Sequence, residues 1–189
     1  MTHLKSKLAL FSSSILMACS LSQFAQAEMS ITSSDIKAGE HMPKAQEFQG
    51  FGCVGDNLSP HLSWSNAPKD TKSFAVTAYD PDAPTGSGWW HWVLVNIPAS
   101  VTTLATGAGN PEKGLLPEGS QTFKTDYGSK SFGGACPPEG DKAHRYQFKV
   151  FALNVEKLEL PEDGSAALVG YYLNSHAIET ATLEALYKR

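Results

Sequence analysis

Two histidines, two aspartates and a tyrosine stand where this sequence could do chemistry. Asp80 and Asp82 lie in Asp80-Pro81-Asp82-Ala83-Pro84, His91 lies between Trp90 and Trp92, and His144 and Tyr146 flank Arg145. Imidazole, carboxylate and phenol within aromatic walls would make a small pocket of the kind that holds a small ligand. Imidazolium and phenol donors suit a phosphate or carboxylate, and backbone N–H groups of the glycine-rich turn Gly133–Cys136 would add to them. Each residue also has an ordinary reading. Aspartate beside proline is a common turn former, His91 fits a core histidine bonded to a carbonyl, and Arg145 with Lys149 fits a solvated strand face. The combination carries the binding reading.

The motifs argue against catalysis. The chain has no G-x-S-x-G elbow, no H-E-x-x-H, no Walker A and no C-x-x-C. Ser87 lies near His91 in the chain, but no third group orients an imidazole toward it. Asp80, Asp82, His91 and His144 have the right chemistry for zinc. Asp82, however, follows Asp80 across a proline, so their side chains need not converge. The expectation is a non-catalytic site with no metal and no cofactor.

Those residues need elements to position them. Phe74–Tyr79 is rich in strand formers and stops at two closely spaced prolines, which predicts a strand and a rigid turn. Gly86-Ser87-Gly88 extends that loop, and Trp90–Ile97 is a near-continuous apolar run, as in a strand buried on both faces. Residues 106–121 are rich in glycine and proline and predict a long surface loop. Gly133–Pro138 is a second rigid turn. It leads to His144–Leu153, where His144, Tyr146, Phe148 and Val150 share one face and Arg145, Gln147 and Lys149 the other. Ala166–Leu173 and His176–Leu186 read as helices, the second from Ile178, Ala181, Ala185 and Leu186 at near-helical spacing. Strands followed by helices predict helices on one face or end of an antiparallel sheet.

The whole chain sets outer limits. Its 189 residues suit one domain, and 41% apolar with 18% charged residues is a globular balance. Residues 1–27 read as a signal peptide: Lys5 and Lys7, then an apolar stretch over Leu8–Leu21, then Ala25-Gln26-Ala27 before Glu28. Leu16-Met17-Ala18-Cys19 resembles a lipobox, so lipidation at Cys19 is the lesser alternative. Cleavage after Ala27 removes two lysines and no acids, moving the net charge from −4 to −6. Such a chain has no bulk attraction for nucleic acid or anionic lipid, so a bound anion must be held locally. Cleavage also leaves Cys53 and Cys136, an even count that points to a disulfide in an exported protein, with two buried thiols as the alternative.

Two long segments resemble a known family. Tyr79–Trp92 (YDPDAPTGSGWWHW) and Gly133–Leu153 (GGACPPEGDKAHRYQFKVFAL) look like the signature regions of the phosphatidylethanolamine-binding proteins, also called Raf kinase inhibitor proteins, in their bacterial branch. Gly52–Trp64 (GCVGDNLSPHLSW) resembles the segment preceding them in bacterial members. The likeness runs over residues 30–189. It implies a mainly β fold, in which a large central antiparallel sheet packs on a smaller one with C-terminal helices alongside, in a single domain over 28–189. It also implies an anion pocket lined by Asp80, Pro84, Trp89, His91, Gly134, Ala135, His144 and Tyr146, with Tyr187 near its mouth. Cys136 stands where many eukaryotic members have glycine. A bridge from there to Cys53 would stiffen the pocket wall, favouring small phosphorylated groups over long phospholipids.

The resemblance also implies regulation of kinases or inhibition of proteases in some members. Export disfavours a cytosolic kinase, which leaves a periplasmic protease or a host protein as the alternative partner. The expected role is therefore an exported, periplasmic or secreted binder of a small anion, with no nucleic-acid partner and no stable membrane insertion. Binding is expected to be tighter near pH 5 than near pH 8, as the pocket gains positive character.

Overall fold

The computed structural model describes residues 27–189. Residues 1–26 of the segment read as a signal peptide, Cys19 among them, lie outside the described residues. In chain order the strands are β1 (Ser30–Thr32), β2 (Gln49–Gly50), β3 (Cys53–Val54), β4 (Leu62–Ser65), β5 (Ser73–Asp80), β6 (Trp89–Pro98), β7 (Thr103–Leu104), β8 (Gln121–Thr122), β9 (His144–Leu153) and β10 (Ala177–Tyr187). The helix α1 spans Ala166–His176. Five strands form the large antiparallel sheet in the order β10-β9-β5-β6-β8, and β1-β4-β7 form a smaller three-stranded sheet.

Strand alternation sorts the core into two layers. Phe74, Val76 and Ala78 of β5, Trp92 and Leu94 of β6, and Tyr146, Phe148 and Val150 of β9 pack with Leu62 and Trp64 of β4 between the sheets. Ala75, Val93, Val95 and Phe151 point the other way and meet Val169 and Leu173 of α1. β6 is thus buried on both faces, as its apolar run predicts. Ser165 caps α1 by accepting a hydrogen bond from the Leu168 N–H at 3.1 Å.

The fold is mainly β, with a large antiparallel sheet, a smaller sheet and a helix, as expected. One element differs: the segment read as a second C-terminal helix, His176–Leu186, is β10. Its buried residues are Ala181, Leu183, Ala185 and Tyr187, a period of two, whereas Ile178 is exposed. The helical spacing came from counting Ile178 and Leu186 as core. What decides the matter is the free edge of β9, which pairs with β10 from Ala177↔Leu153 to Tyr187↔His144. Cross-strand packing overrides the helix-forming tendency of this alanine- and leucine-containing run.

Candidate functional site

Antiparallel pairing brings the sequence-predicted residues to one end of the large sheet. Asp80 ends β5, Trp89 begins β6 as its cross-strand partner, and β9, which runs beside β5 with Tyr79 opposite Gln147, begins at His144. A cavity of about 180 Å³ opens there. Asp80, Pro84, Trp89, His91, His144 and Tyr146 line it, with Phe51, Ala83, Thr85, Tyr127 and Cys136–Pro138.

His91 reaches the cavity through a β-bulge. Ala78 pairs with Trp92 and Tyr79 with Trp90, so His91 is the extra residue on β6. The bulge reverses the alternation: Trp90 packs toward the α1 side, while the His91 ring meets Tyr146 at 5.2 Å on the inter-sheet side. Bulges commonly re-aim a side chain in this way. The backbone groups the bulge leaves unpaired are taken by the loop before β9. Trp90 N–H donates to Asp126 Oδ2 at 2.7 Å, and Gly133 N–H donates to the His91 carbonyl at 2.9 Å.

His91 is a buried histidine bonded to a carbonyl, and it also lines the cavity. Its Nδ1 lies 2.7 Å from the Gly133 carbonyl oxygen, so that nitrogen carries a hydrogen. Its Nε2 is buried with no hydrogen-bond partner. Burial pushes the imidazole below its ordinary value, against the raising influence of the Gly133 carbonyl and the Asp80 charge.

Asp80 is buried yet fully engaged: Oδ1 accepts the Asp82 N–H at 2.8 Å, and Oδ2 meets His144 Nδ1 at 2.8 Å. The other nitrogen of His144 lies 3.5 Å from Asp141. The carboxylate is therefore answered by neighbours before any ligand arrives. Asp82 turns outward, forming a forked pair with Arg145, Nε to Oδ2 and Nη2 to Oδ1, each 2.9 Å. That pair holds the Asp82 carboxyl down at about 2. Asp82 therefore does not converge with Asp80, His91 and His144, and Arg145 is not merely a solvated surface residue. Among the described residues no cluster of three or more histidine, cysteine or acidic side chains is arranged for a metal.

Several expectations about the wall are corrected. Gly134 and Ala135 stand behind the cavity instead of facing it. The Gly133, Gly134 and Ala135 N–H groups donate to the His91 carbonyl, Asn57 Oδ1 and the Gln46 carbonyl, so these donors are not free for an anion. A Cβ on Gly134 would sit 2.4 Å from the Gln46 carbonyl oxygen, so two backbones touch here and only glycine fits. Tyr187 is not at the mouth. It is buried opposite His144, and its hydroxyl donates to Glu47.

Sequence reasoning missed Tyr127 and Phe51. Tyr127 stacks on Phe48 at 4.2 Å, meets Trp89 edge-on at 5.4 Å and donates its hydroxyl to the Gly134 carbonyl at 2.8 Å. It lies in a short polar turn with no local signal. Phe51 is 73% exposed at the tip of the β2–β3 hairpin, with φ of 54°. The hairpin is tied down by the Cys53–Cys136 disulfide and by Glu47, which accepts the Val54 N–H at 2.6 Å. Its position beside Cys53 was the one available clue.

Trp89 Nε1, His91 Nε2 and the Tyr146 hydroxyl, all on residues lining the cavity, are buried without a hydrogen-bond partner. Burial and the nearby Asp80 charge both push the Tyr146 phenol upward, so it stays a neutral donor.

Comparison with known proteins agrees with this architecture. The family model described as phosphatidylethanolamine-binding protein matches residues 32–188. The chain is 54% identical over 162 residues to the UPF0098 protein YbcL of Escherichia coli, covering 86% of this chain and 88% of that one. It is 45% identical over 161 residues to the UPF0098 protein YbhB of the same organism, covering 84% and 99%. The crystal structure of E. coli YbcL superposes with a TM-score of 0.84 at 55% identity, covering 86% of this chain and 99% of that chain. A phosphatidylethanolamine-binding protein from Plasmodium vivax, 15% identical with a TM-score of 0.54, shares the fold. The chain belongs to the phosphatidylethanolamine-binding protein family.

Proposed function

We propose that this protein is an exported, non-catalytic receptor for a small anionic or phosphorylated ligand held in the cavity at the ends of β5, β6 and β9. One observation carries the reading: three buried polar atoms, on Trp89, His91 and Tyr146, lack protein partners around one cavity. Leaving a buried polar group unsatisfied costs about 1–3 kcal/mol each, and native proteins rarely leave several together without a ligand or water to meet them. The family's description names phosphatidylethanolamine. A cavity of about 180 Å³ is below the roughly 300–1,000 Å³ typical of sites for drug-sized ligands, so it suits a headgroup-sized anion better than acyl chains. Export rests on the reading of residues 1–27, which places the mature chain in the periplasm or outside the cell. Among the described residues no helix is long and apolar enough to cross a membrane.

Calorimetric titration with inorganic phosphate tests the role. Saturable binding is expected, weakened at least about tenfold by Tyr146→Phe. That variant removes a hydroxyl with no protein partner, so folding stability should hold or rise. No saturable heat up to about 10 mM phosphate would refute the proposal.

A second reading is a protein-binding or protease-inhibitor role, favoured by the exposure of Phe51 at 73% and Val54 at 69% on one hairpin. Pull-downs with the wild type and a Phe51→Ser/Val54→Ser variant separate it from ligand binding. A partner lost with the hairpin but retained in Tyr146→Phe would support it.

A further inference from the structure

We propose a second binding site, on the face of the large sheet that carries α1: the cleft between α1 and strands β5, β9 and β10 takes a pyranose bearing a carboxylate, a uronic-acid sugar. The inference is independent of the anion-binding reading above. The cleft measures about 530 Å³, within the roughly 300–1,000 Å³ of small-molecule sites. Strand alternation sets what lines it. Val76 and Ala78 of β5, Phe148 and Val150 of β9, and Ala181 and Leu183 of β10 point between the sheets. Thr77, Lys149, Thr180 and Thr182, which alternate with them, therefore point to the other face and line the cleft. Thr182 pairs with Lys149, and Lys149 with Thr77, so one row across three strands reads hydroxyl, amine, hydroxyl.

Part of the wall is aromatic. The bulge that turns His91 into the cavity turns Trp90 toward α1, and the Trp90 ring meets Tyr79 at 4.7 Å. The Tyr79 hydroxyl donates to the Ser87 carbonyl at 2.8 Å, which fixes that ring. From α1 come Gly170 and Asn174, four residues apart and so on one helix face. Glycine is a poor helix former. Here it leaves the space over the indole open: a Cβ at position 170 would lie 3.4 Å from Trp90 Cη2.

The ligand class follows from these groups. Three threonine hydroxyls and the Asn174 amide both donate and accept, so they suit a ligand with several hydroxyls. A wholly apolar ligand would strip water from them and return no hydrogen bond. The aromatic pair suits the C–H face of a sugar ring, whose hydrogens make weak contacts with π-systems. Lys149 sets the charge. Among the described residues no acid forms an ion pair with it. Glu184, on the same face, accepts a hydrogen bond from Gln147 Nε2 at 3.0 Å instead. One ammonium among neutral hydroxyls and rings matches one carboxylate on the ligand, joined by a charge-assisted hydrogen bond.

The test is an NMR titration of the purified wild-type protein with methyl β-glucuronide, methyl β-glucoside and acetate, following the Trp90 indole and the Thr180 and Thr182 amides. The glucuronide should shift all three saturably with a Kd on the order of 1 mM. It should bind about tenfold more tightly than the glucoside or acetate. Lys149→Gln keeps a polar side chain at a partly exposed position and should bring the glucuronide down to the level of the glucoside. Acetate binding as tightly as the glucuronide would reduce the site to a lone ammonium and overturn the inference. Equal binding of the glucoside overturns it too, as does undiminished glucuronide binding by Lys149→Gln. Absence of saturable shifts up to about 50 mM does the same. The three reporters lie on the α1 face and not in the cavity at the strand ends, so failure here leaves the anion-binding role intact.

Discussion

The His144 imidazole and the Asp80 carboxylate meet at 2.8 Å, both buried, although 64 residues separate them in sequence. The pair joins the start of β9 to the end of β5 and fixes the floor of the cavity. Removing one partner leaves a buried group unanswered. His144→Ala should therefore lower stability by about 3–5 kcal/mol. Asp80→Asn keeps a hydrogen-bonding oxygen toward the ring and should lose about 1–2 kcal/mol. Urea unfolding of the two variants measures both, and equal losses below about 1 kcal/mol would show that the pair does not brace the sheet.

The outward pair Asp82–Arg145 predicts a pH signature. Asp82 sits at about 2 in the folded protein against an ordinary 3.8, so its contribution is present above 3.8 and lost as pH falls through about 2. Arg145 is 47% exposed, so solvent screening keeps the pair's contribution small. Asp82→Asn should be less stable than wild type at pH 7, and the gap should narrow below 3.8 and close as pH falls through about 2. A gap that stays constant from pH 7 to pH 2 contradicts the assignment.

Reduction of Cys53–Cys136 opens a loop of 83 residues. The chain-entropy model gives about 4–5 kcal/mol for such a bridge. Dithiothreitol should therefore shift the urea midpoint markedly, and by freeing the hairpin at the cavity rim it should weaken phosphate binding as well. An unchanged midpoint, with two thiols titrated in the untreated native protein, would mean that the cysteines are not bridged.

Glu47 is buried beneath that hairpin. Burial alone would raise its carboxyl, but hydrogen bonds from Tyr187 and Val54 outweigh it and hold the group below its ordinary 4.5. Its contribution is thus present above 4.5 and fades as pH falls through the lower folded value. Tyr187→Phe should lose about 1.5–3 kcal/mol at pH 7, as expected for a hydrogen bond to a charged group, and less at pH 3. Thermal melts at the two pH values provide the check; an equal loss at both would show that the Glu47 charge is not involved.

The sequence by itself determined the rigid turns and the long strands β5, β6 and β9. Asp80-Pro81-Asp82 and Cys136-Pro137-Pro138 stop a ladder wherever they occur, and the alternation in His144–Leu153 marks a one-sided face, because both signals are local. It also placed Asp80, His91, His144 and Tyr146 beside strand ends, and the family resemblance added Pro84 and Trp89; all six line the cavity. Tertiary structure alone decided the rest. Whether Ala177–Tyr187 becomes a helix or a strand depends on the open edge of β9, which no window of that segment contains. Which way His91 points depends on a bulge, and a bulge exists only relative to the strand opposite it. Tyr127 joins the site because its loop bonds to the backbone that the bulge leaves free; the Gly133 donor is taken by that same backbone, and those of Gly134 and Ala135 by Asn57 and Gln46. Hydrogen-bond partners are assigned between strands and loops distant in sequence, so a local pattern shows which residues could build the cavity but not which of their polar atoms stay available to a ligand.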